Sequence, residues 1–263
     1  MTELPKPYYD KDGITIYHGD CRDILPLLPK VDLVCTSPPY DDLRDYGGHE
    51  FNVMDCIPGI SSSIVDGGVI MWNVADATVD GSETGSSFRQ SLEFMDNGLN
   101  LHDTMIYCKE GFAFPDANRY HPAFEYMFVF SRSKPKTFNP IKDRRNKWAG
   151  TKVHGNQRQK DGSMKDTPTM GNIYQDFGPR LNWWVMNNKI VTGHPAVMPY
   201  DMATGHILTW SNTGEIVLDP FMGSGTTLVA AKALGRKCIG IELEEKYCAI
   251  AVQRLSQEVM NFD

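Results

Sequence analysis

The stretch EIVLDPFMGSGTTLVAAKALGRKCIGIEL constrains the fold more than any other part of the chain. Ile216–Leu218 form an apolar run that ends in Asp219-Pro220-Phe221, passes through Gly223-Ser224-Gly225 and enters a helical pattern. The apolar face of that helix is Leu228, Val229, Ala231 and Leu234, and Gly235 stops it. A second apolar strand, Cys238–Ile241, then ends at Glu242. The pattern is a βαβ unit whose tight glycine turn lets a ligand approach the backbone, with an acid at the tip of the second strand.

Further runs of strand length occur at GITIYHG, VDLVCTS, GGVIMWNVA, DTMIYCK and EYMFVFS, and a second helical pattern covers Glu244–Val259. Runs apolar on both faces that alternate with helices predict an α/β, doubly wound fold with a largely parallel sheet covered on both sides. At 263 residues the chain is read most simply as one domain with an insertion, or as one and a half domains. The insertion shows as a failure of pattern between Lys134 and Asn188, where the sequence turns polar and loses its period.

Charge separates the same segment from the rest. Ser131 to Ile190 holds thirteen Lys and Arg against four Asp, net +9, which leaves −16 elsewhere. A basic block on an acidic body reads as a surface that faces a polyanion, with Arg144, Arg145, Lys147, Lys152 and Arg158 as candidate contacts; a solvated loop is the alternative. No apolar run reaches the roughly 18 residues of a membrane span and MTELPKPYYDKDG has no signal-like core, so a soluble, cytoplasmic protein is expected. Six scattered cysteines without a C-x-x-C pair read as reduced thiols, and the histidines have no metal-binding spacing, so no metal is expected.

Three ligands could use the glycine turn. A nucleoside triphosphate loop has Lys after its last glycine, where this chain has Thr226; a dinucleotide site expects a third glycine, where it has Leu228. S-adenosylmethionine fits better. It offers a ribose to Glu242, has no pyrophosphate, and carries a cationic end that Asp219 would favour.

A second stretch, VCTSPPYDDLRDYGG, starts as a buried strand and leaves it through two prolines that fix the direction of the exit. TSPPY followed by DPFMGSGTT resembles the amino-directed DNA methyltransferases, which methylate N4 of cytosine or N6 of adenine. The catalytic motif is matched by Ser37-Pro38-Pro39-Tyr40 and the cofactor motif by Phe221-Met222-Gly223-Ser224-Gly225. Their order, catalytic motif first, is that of the family's β group. HGDCRDIL and HPAVMP resemble two further family segments, and the likeness runs from about Ile14 to Ser131 and from His194 to Leu255.

The resemblance implies a Rossmann-like sheet that binds S-adenosylmethionine. It divides the chain into a catalytic half (1–131), a basic target-recognition insertion (132–189) and a cofactor-binding half (190–263). It places Asp20, Cys21, His194, Asp219, Pro220, Phe221, Gly223, Ser224, Gly225, Thr226, Thr227 and Glu242 at the cofactor; Asp20 also reads as a helix cap, and His194 as a helix-entry residue. Ser37 Oγ and the Pro38 carbonyl would accept hydrogen bonds from a poorly nucleophilic exocyclic amine, and Tyr40 would stack on the base. A base inside a duplex cannot reach such a site, so double-stranded DNA must yield a flipped base. In the family a first-position serine goes more often with cytosine and a carboxylate or amide with adenine, which leans Ser37 toward N4-cytosine with N6-adenine as the alternative. A homodimer and a companion restriction nuclease are partners the family allows. A binding module that keeps the fold without chemistry is the competing class, disfavoured by the intact motifs.

Overall fold

The computed structural model describes residues 3–39, 52–109, 111, 118–186 and 198–257. In chain order the elements are β1 (Tyr9–Lys11), β2 (Ile14–His18), α1 (Cys21–Ile24), β3 (Val31–Thr36), α2 (Ile57–Ser63) and β4 (Ile64–Val74). A small hairpin, β5 (Thr78–Val79) and β6 (Ser82–Glu83), precedes α3 (Ser86–Asp96), β7 (Asn100–Lys109) and β8 (Phe124–Ser131). Four short strands follow: β9 (Arg144–Arg145), β10 (Asn156–Arg158), β11 (Met164–Asp166) and β12 (Phe177–Gly178). The last elements are β13 (Trp183–Met186), α4 (Tyr200–Trp210), β14 (Ile216–Asp219), α5 (Thr226–Ala233), β15 (Lys237–Glu242) and α6 (Glu245–Ser256).

Nine strands form one sheet in the order β1-β2-β15-β14-β3-β4-β8-β7-β13. Every apolar run of strand length read from the sequence is in it. The pairings from β2 to β4 are parallel, as is β7 with β13, while β1–β2, β4–β8 and β8–β7 are antiparallel. The sheet is therefore mixed, because β8 runs against both of its neighbours.

Alternation along the strands sends two sets of side chains to opposite faces. Val34, Ile70, Trp72, Phe128, Phe130, Leu218 and Ile241 join Cys21, Ile24, Ile57, Ile60 and Phe94 from α1, α2 and α3 in one core. Leu33, Met71, Val129 and Val217 are equally buried on the other face, where α4 packs on β3 and α5 lies between α4 and α6. No described helix is long and apolar enough to cross a membrane.

The chain divides into two units: 1–139 with 182–263, and Pro140–Leu181. The second unit is narrower than the 132–189 insertion that the family resemblance implies. Lys136 is tied to Asp32 at 2.5 Å and to Glu215 at 3.2 Å, and β13 extends the sheet beside β7, so both flanks belong to the first unit. Within the second unit β9 pairs with β12 and β10 with β11, both antiparallel. The polar, aperiodic sequence there folds as short ribbons joined by turns.

Candidate active site

The centre of the sheet contains a reversal of winding. From β14 the chain crosses through α5 to β15 on one side, and from β3 it proceeds to β4 on the other. β14 and β3 are parallel neighbours, and in doubly wound sheets it is the crevice at the carboxyl ends of such a pair that binds ligands. Both sequence motifs exit here. Thr36, the last residue of β3, donates from Oγ1 to Asp219 Oδ1 at 2.6 Å and so ties the two strand ends together.

Ser37, Pro38 and Pro39 continue directly from β3. Asn73, near the end of the adjacent β4, places Nδ2 3.4 Å from Ser37 Oγ and donates from the same atom to Glu125 Oε2 at 2.7 Å. Glu125 also pairs with Lys109 Nζ at 2.8 Å. Asn73 is 2% exposed and Glu125 9%, so the link that fixes the serine from behind is shielded from water, while the Lys109 end of the chain reaches solvent. The signal for Asn73 was present in the sequence as one polar residue in the apolar run GGVIMWNVA. Glu125 and Lys109, at strand ends, carried none.

On the other side of the crevice, Gly223 and Gly225 have φ of +50° and +80°, and Gly225 is the N-cap of α5. A Cβ on Gly225 would stand 2.8 Å from the Ala251 Cβ, so the turn requires glycine both for conformation and for space. Glu242 Oε2 accepts from Gly223 N at 2.9 Å and Oε1 from Glu244 N at 2.8 Å. Each carboxylate oxygen keeps a lone pair for a hydroxyl donor, which suits a ribose. Burial raises the Glu242 pKa above the ordinary value, against the pull of those two N–H groups.

Asp219 differs from the expectation of a carboxylate presented to a ligand. It is 3% exposed, and Oδ1 accepts from both Thr36 Oγ1 and Phe221 N at 3.1 Å. Desolvation pushes its pKa up to about 6, opposed by hydrogen bonds from Thr36, Thr227 and Phe221. Its contacts make it a clamp between β3 and the glycine turn. Ser224, Thr226 and Thr227 are likewise buried. Thr227 Oγ1 donates to Cys35 O at 3.2 Å, and Arg254 Nη1, from α6, donates to Ser224 O at 2.6 Å, Ser224 Oγ at 3.0 Å and Thr226 Oγ1 at 3.2 Å. Phe221, partly exposed, sets its ring edge-on to Trp72 at 6.1 Å.

Asp20 follows β2 at the same end of the sheet and caps α1, accepting from Arg22 N at 2.8 Å while its carboxylate pairs with the Arg22 side chain at 2.6 Å. That engagement is the cap read from sequence. The Cys21 side chain is buried with Sγ 3.5 Å from Cys56 Sγ, facing the core, so only its backbone can meet a ligand. Pro220 is buried beside Phe221. Tyr40 and His194 lie outside the described residues. Arg144, Arg145, Lys147, Lys152 and Arg158 are all exposed in the second unit. No group of three or more potential metal ligands occurs among the described residues.

Comparison with known proteins agrees with this geometry. The family model described as DNA methylase, of the N6/N4 type, matches residues 31–253. The orphan methyltransferase M.BamHII of Bacillus amyloliquefaciens is 48% identical over 252 residues, covering 92% of each chain. The Type II methyltransferase M.SmaI of Serratia marcescens is 28% identical over 90% of this chain and 89% of its own. Among solved structures, the cytosine-N4-specific PvuII DNA methyltransferase superposes with a TM-score of 0.72 at 18% identity, covering 98% of this chain and 92% of that one. The M1.HpyAVI–SAM complex gives 0.63 at 23% identity, covering 92% and 100%. A motif-bearing crevice at the sheet's winding reversal, and a family match across most of the chain, place this protein among the amino-directed, S-adenosylmethionine-dependent DNA methyltransferases.

Proposed function

We propose that the chain methylates the exocyclic N4 of a cytosine flipped out of duplex DNA, with Ser37 and Pro38 orienting the amine and Glu242 and the Gly223–Gly225 turn holding the methyl donor. The observation that carries this reading is Ser37 at the carboxyl end of β3, backed by Asn73 and joined through Thr36 to the glycine turn. S-adenosylmethionine supplies an electrophilic methyl group on a sulfonium. The exocyclic amine is a weak nucleophile because its lone pair is delocalised into the ring. Acceptors on its two N–H bonds favour the pyramidal form in which that lone pair is free. Ser37 Oγ is an acceptor of the Asn73 amide and, as a hydroxyl, is the kind of group that can also accept from an exocyclic amine. The hydroxyl is neutral, so it is a weaker acceptor than a carboxylate, and in the family this goes more often with cytosine.

Glu242, fixed by two backbone N–H groups, is suited to hold the ribose, and Tyr40 to stack on the base. Asp219 acts through the turn it anchors. The exposed cations of Pro140–Leu181 support that unit as the target-recognition region, contacting DNA through Arg144, Arg145, Lys147, Lys152 and Arg158. The enzyme would work in the cytoplasm, with or without a companion nuclease, the relative at 48% identity being an orphan methyltransferase. The deciding experiment incubates purified protein with unmodified duplex DNA and S-adenosylmethionine, digests the product to nucleosides and compares them with standards. N4-methylcytosine is expected. N6-methyladenine alone would overturn the cytosine assignment, and no methylated nucleoside would overturn the activity.

A further inference from the structure

The second unit contains a ribbon whose residues are all exposed. Strands β10 and β11 pair as Asn156↔Asp166, Gln157↔Lys165 and Arg158↔Met164, and every residue from Asn156 to Asp166 is exposed. A two-stranded hairpin with both faces in water is marginal by itself. Here its tip is stiffened instead. Asp161 Oδ1 accepts from Ser163 N at 2.9 Å and Ser163 Oγ at 2.7 Å, and Gln159 N donates to Ser163 O at 2.8 Å. Its cations, Arg158, Lys160 and Lys165, are in no ion pair among the described residues.

The two faces of this ribbon differ chemically. Asn156 and Asp166 share one face with Arg158 and Met164, and the Asn156 amide, correctly oriented, donates to Asp166 Oδ1 at 3.0 Å. Gln157 and Lys165 stand opposite each other on the other face, with no acid between them. A ribbon of this kind fits a major groove about 12 Å wide, and three residues per strand extend about 10 Å, or about three base-pair steps. The geometry points to the hairpin Asn156–Asp166 as the element that enters the major groove of duplex DNA, with Gln157 and Lys165 reading base edges and Arg158 and Lys160 holding phosphates. The inference rests on the proposal that this unit recognises the target. A Gln amide matches the paired acceptor and donor of adenine, and a Lys the two acceptors of guanine. The reading accounts for an exposed ribbon with a stiffened tip that presents Gln157 and Lys165 side by side on one face.

The test is to express the full chain and its variants in a host lacking the modification and to map methylated bases in the host DNA at single-base resolution. Wild type should mark one sequence. Gln157→Ala should extend marking to sites altered at one fixed position, with discrimination there falling about ten- to a hundredfold. Gln157→Arg should move the preference at that position from adenine toward guanine. Arg158→Ala should keep the sequence, bind DNA more weakly, and reduce the log–log salt slope by about 0.9. If Gln157→Ala, Gln157→Arg and Lys165→Ala all mark the wild-type sequence with wild-type discrimination, the hairpin does not read bases. If wild type marks DNA while a lesion elsewhere in Pro140–Leu181 alone changes the sequence, the unit recognises DNA but not through this ribbon. Absence of marking by wild type would instead refute the underlying DNA-methylating function.

Discussion

Asp219 is an acid held where a charge is costly, and this gives it a pH signature. Its pKa of about 6 in the fold lies above its ordinary value of 3.8 because burial disfavours the carboxylate. Its contribution to stability is full below pH 4 and is lost as pH rises through about 6. The loss amounts to about 3 kcal/mol for a shift of this size. Asp219→Asn cannot ionise, so between pH 4 and pH 7.5 its stability relative to wild type should rise by about that amount in urea denaturation; a constant difference would show the acid charged throughout. For Ser37 the expectation concerns rate. Ser37→Ala should lower kcat about a hundredfold or more with cofactor affinity unchanged, since one aimed acceptor is lost. Asn73→Ala should lower kcat less, and adding it to Ser37→Ala should cost almost nothing further, because the amide acts through the hydroxyl it fixes. Additive losses in single-turnover kinetics would mean that Asn73 serves the base or the fold independently.

Among the elements, α6 reaches across to hold a turn that it does not contain. Arg254 makes three contacts with the Ser224–Thr226 backbone and hydroxyls, and burial lowers its pKa below the usual guanidinium value. Arg254→Met keeps the length of the side chain but removes these donors. It should raise the Kd for S-adenosylmethionine in calorimetry while leaving kcat at saturating cofactor near wild type; an unchanged Kd would mean that the turn holds its shape unaided. This staple was illegible in the sequence, where Arg254 reads as an ordinary solvated position near a helix end. Strands were legible because burial on both faces leaves unbroken apolar runs. Helix α3 was not: besides Phe94 it buries Ser86, Ser87, Gln90 and Ser91 while exposing Phe88, Leu92 and Met95, which blurs the pattern that marks a surface helix. Gln90 is buried because its Oε1 accepts from Trp72 Nε1 at 2.9 Å, a contact with a partner distant in sequence. Strand β13 was hidden too, being four residues long at the edge of a polar segment, with Trp183 and Val185 exposed. The two motifs of the crevice were readable because turns and proline exits are local, whereas Asn73, Glu125 and Lys109 gain their meaning only from strand neighbours.

At the scale of the whole molecule, charge is divided between an acidic body and a basic unit. Pro140–Leu181 holds nine Lys and Arg against four Asp, although the Arg180–Asp143 pair neutralises one of each. If the unit tracks phosphates, replacing Arg144, Arg145 and Lys147 together by Ala should reduce the slope of log affinity against log salt by up to about 2.7, at about 0.9 per phosphate contact. A filter-binding series from low to high salt measures it, and an unaltered slope would leave those three cations as solvated surface. The sheet order has a different consequence, for the time at which the enzyme comes into being. Thr36 and Asp219, joined across the crevice, are 183 residues apart in sequence, and β3 finds its β14 neighbour only after nearly everything between them has been synthesised. At about 5–20 residues per second, a ribosome adds that interval in about 10–40 s, during which β3, with β4 available on one side, lacks its neighbour on the other. Long-range pairing of this kind also makes closure of the sheet slow once the chain is free. A growing chain therefore passes through a period in which the edge of β3 is open to other proteins, and protection of that edge during synthesis becomes a requirement for yield, independent of how stable the finished enzyme is.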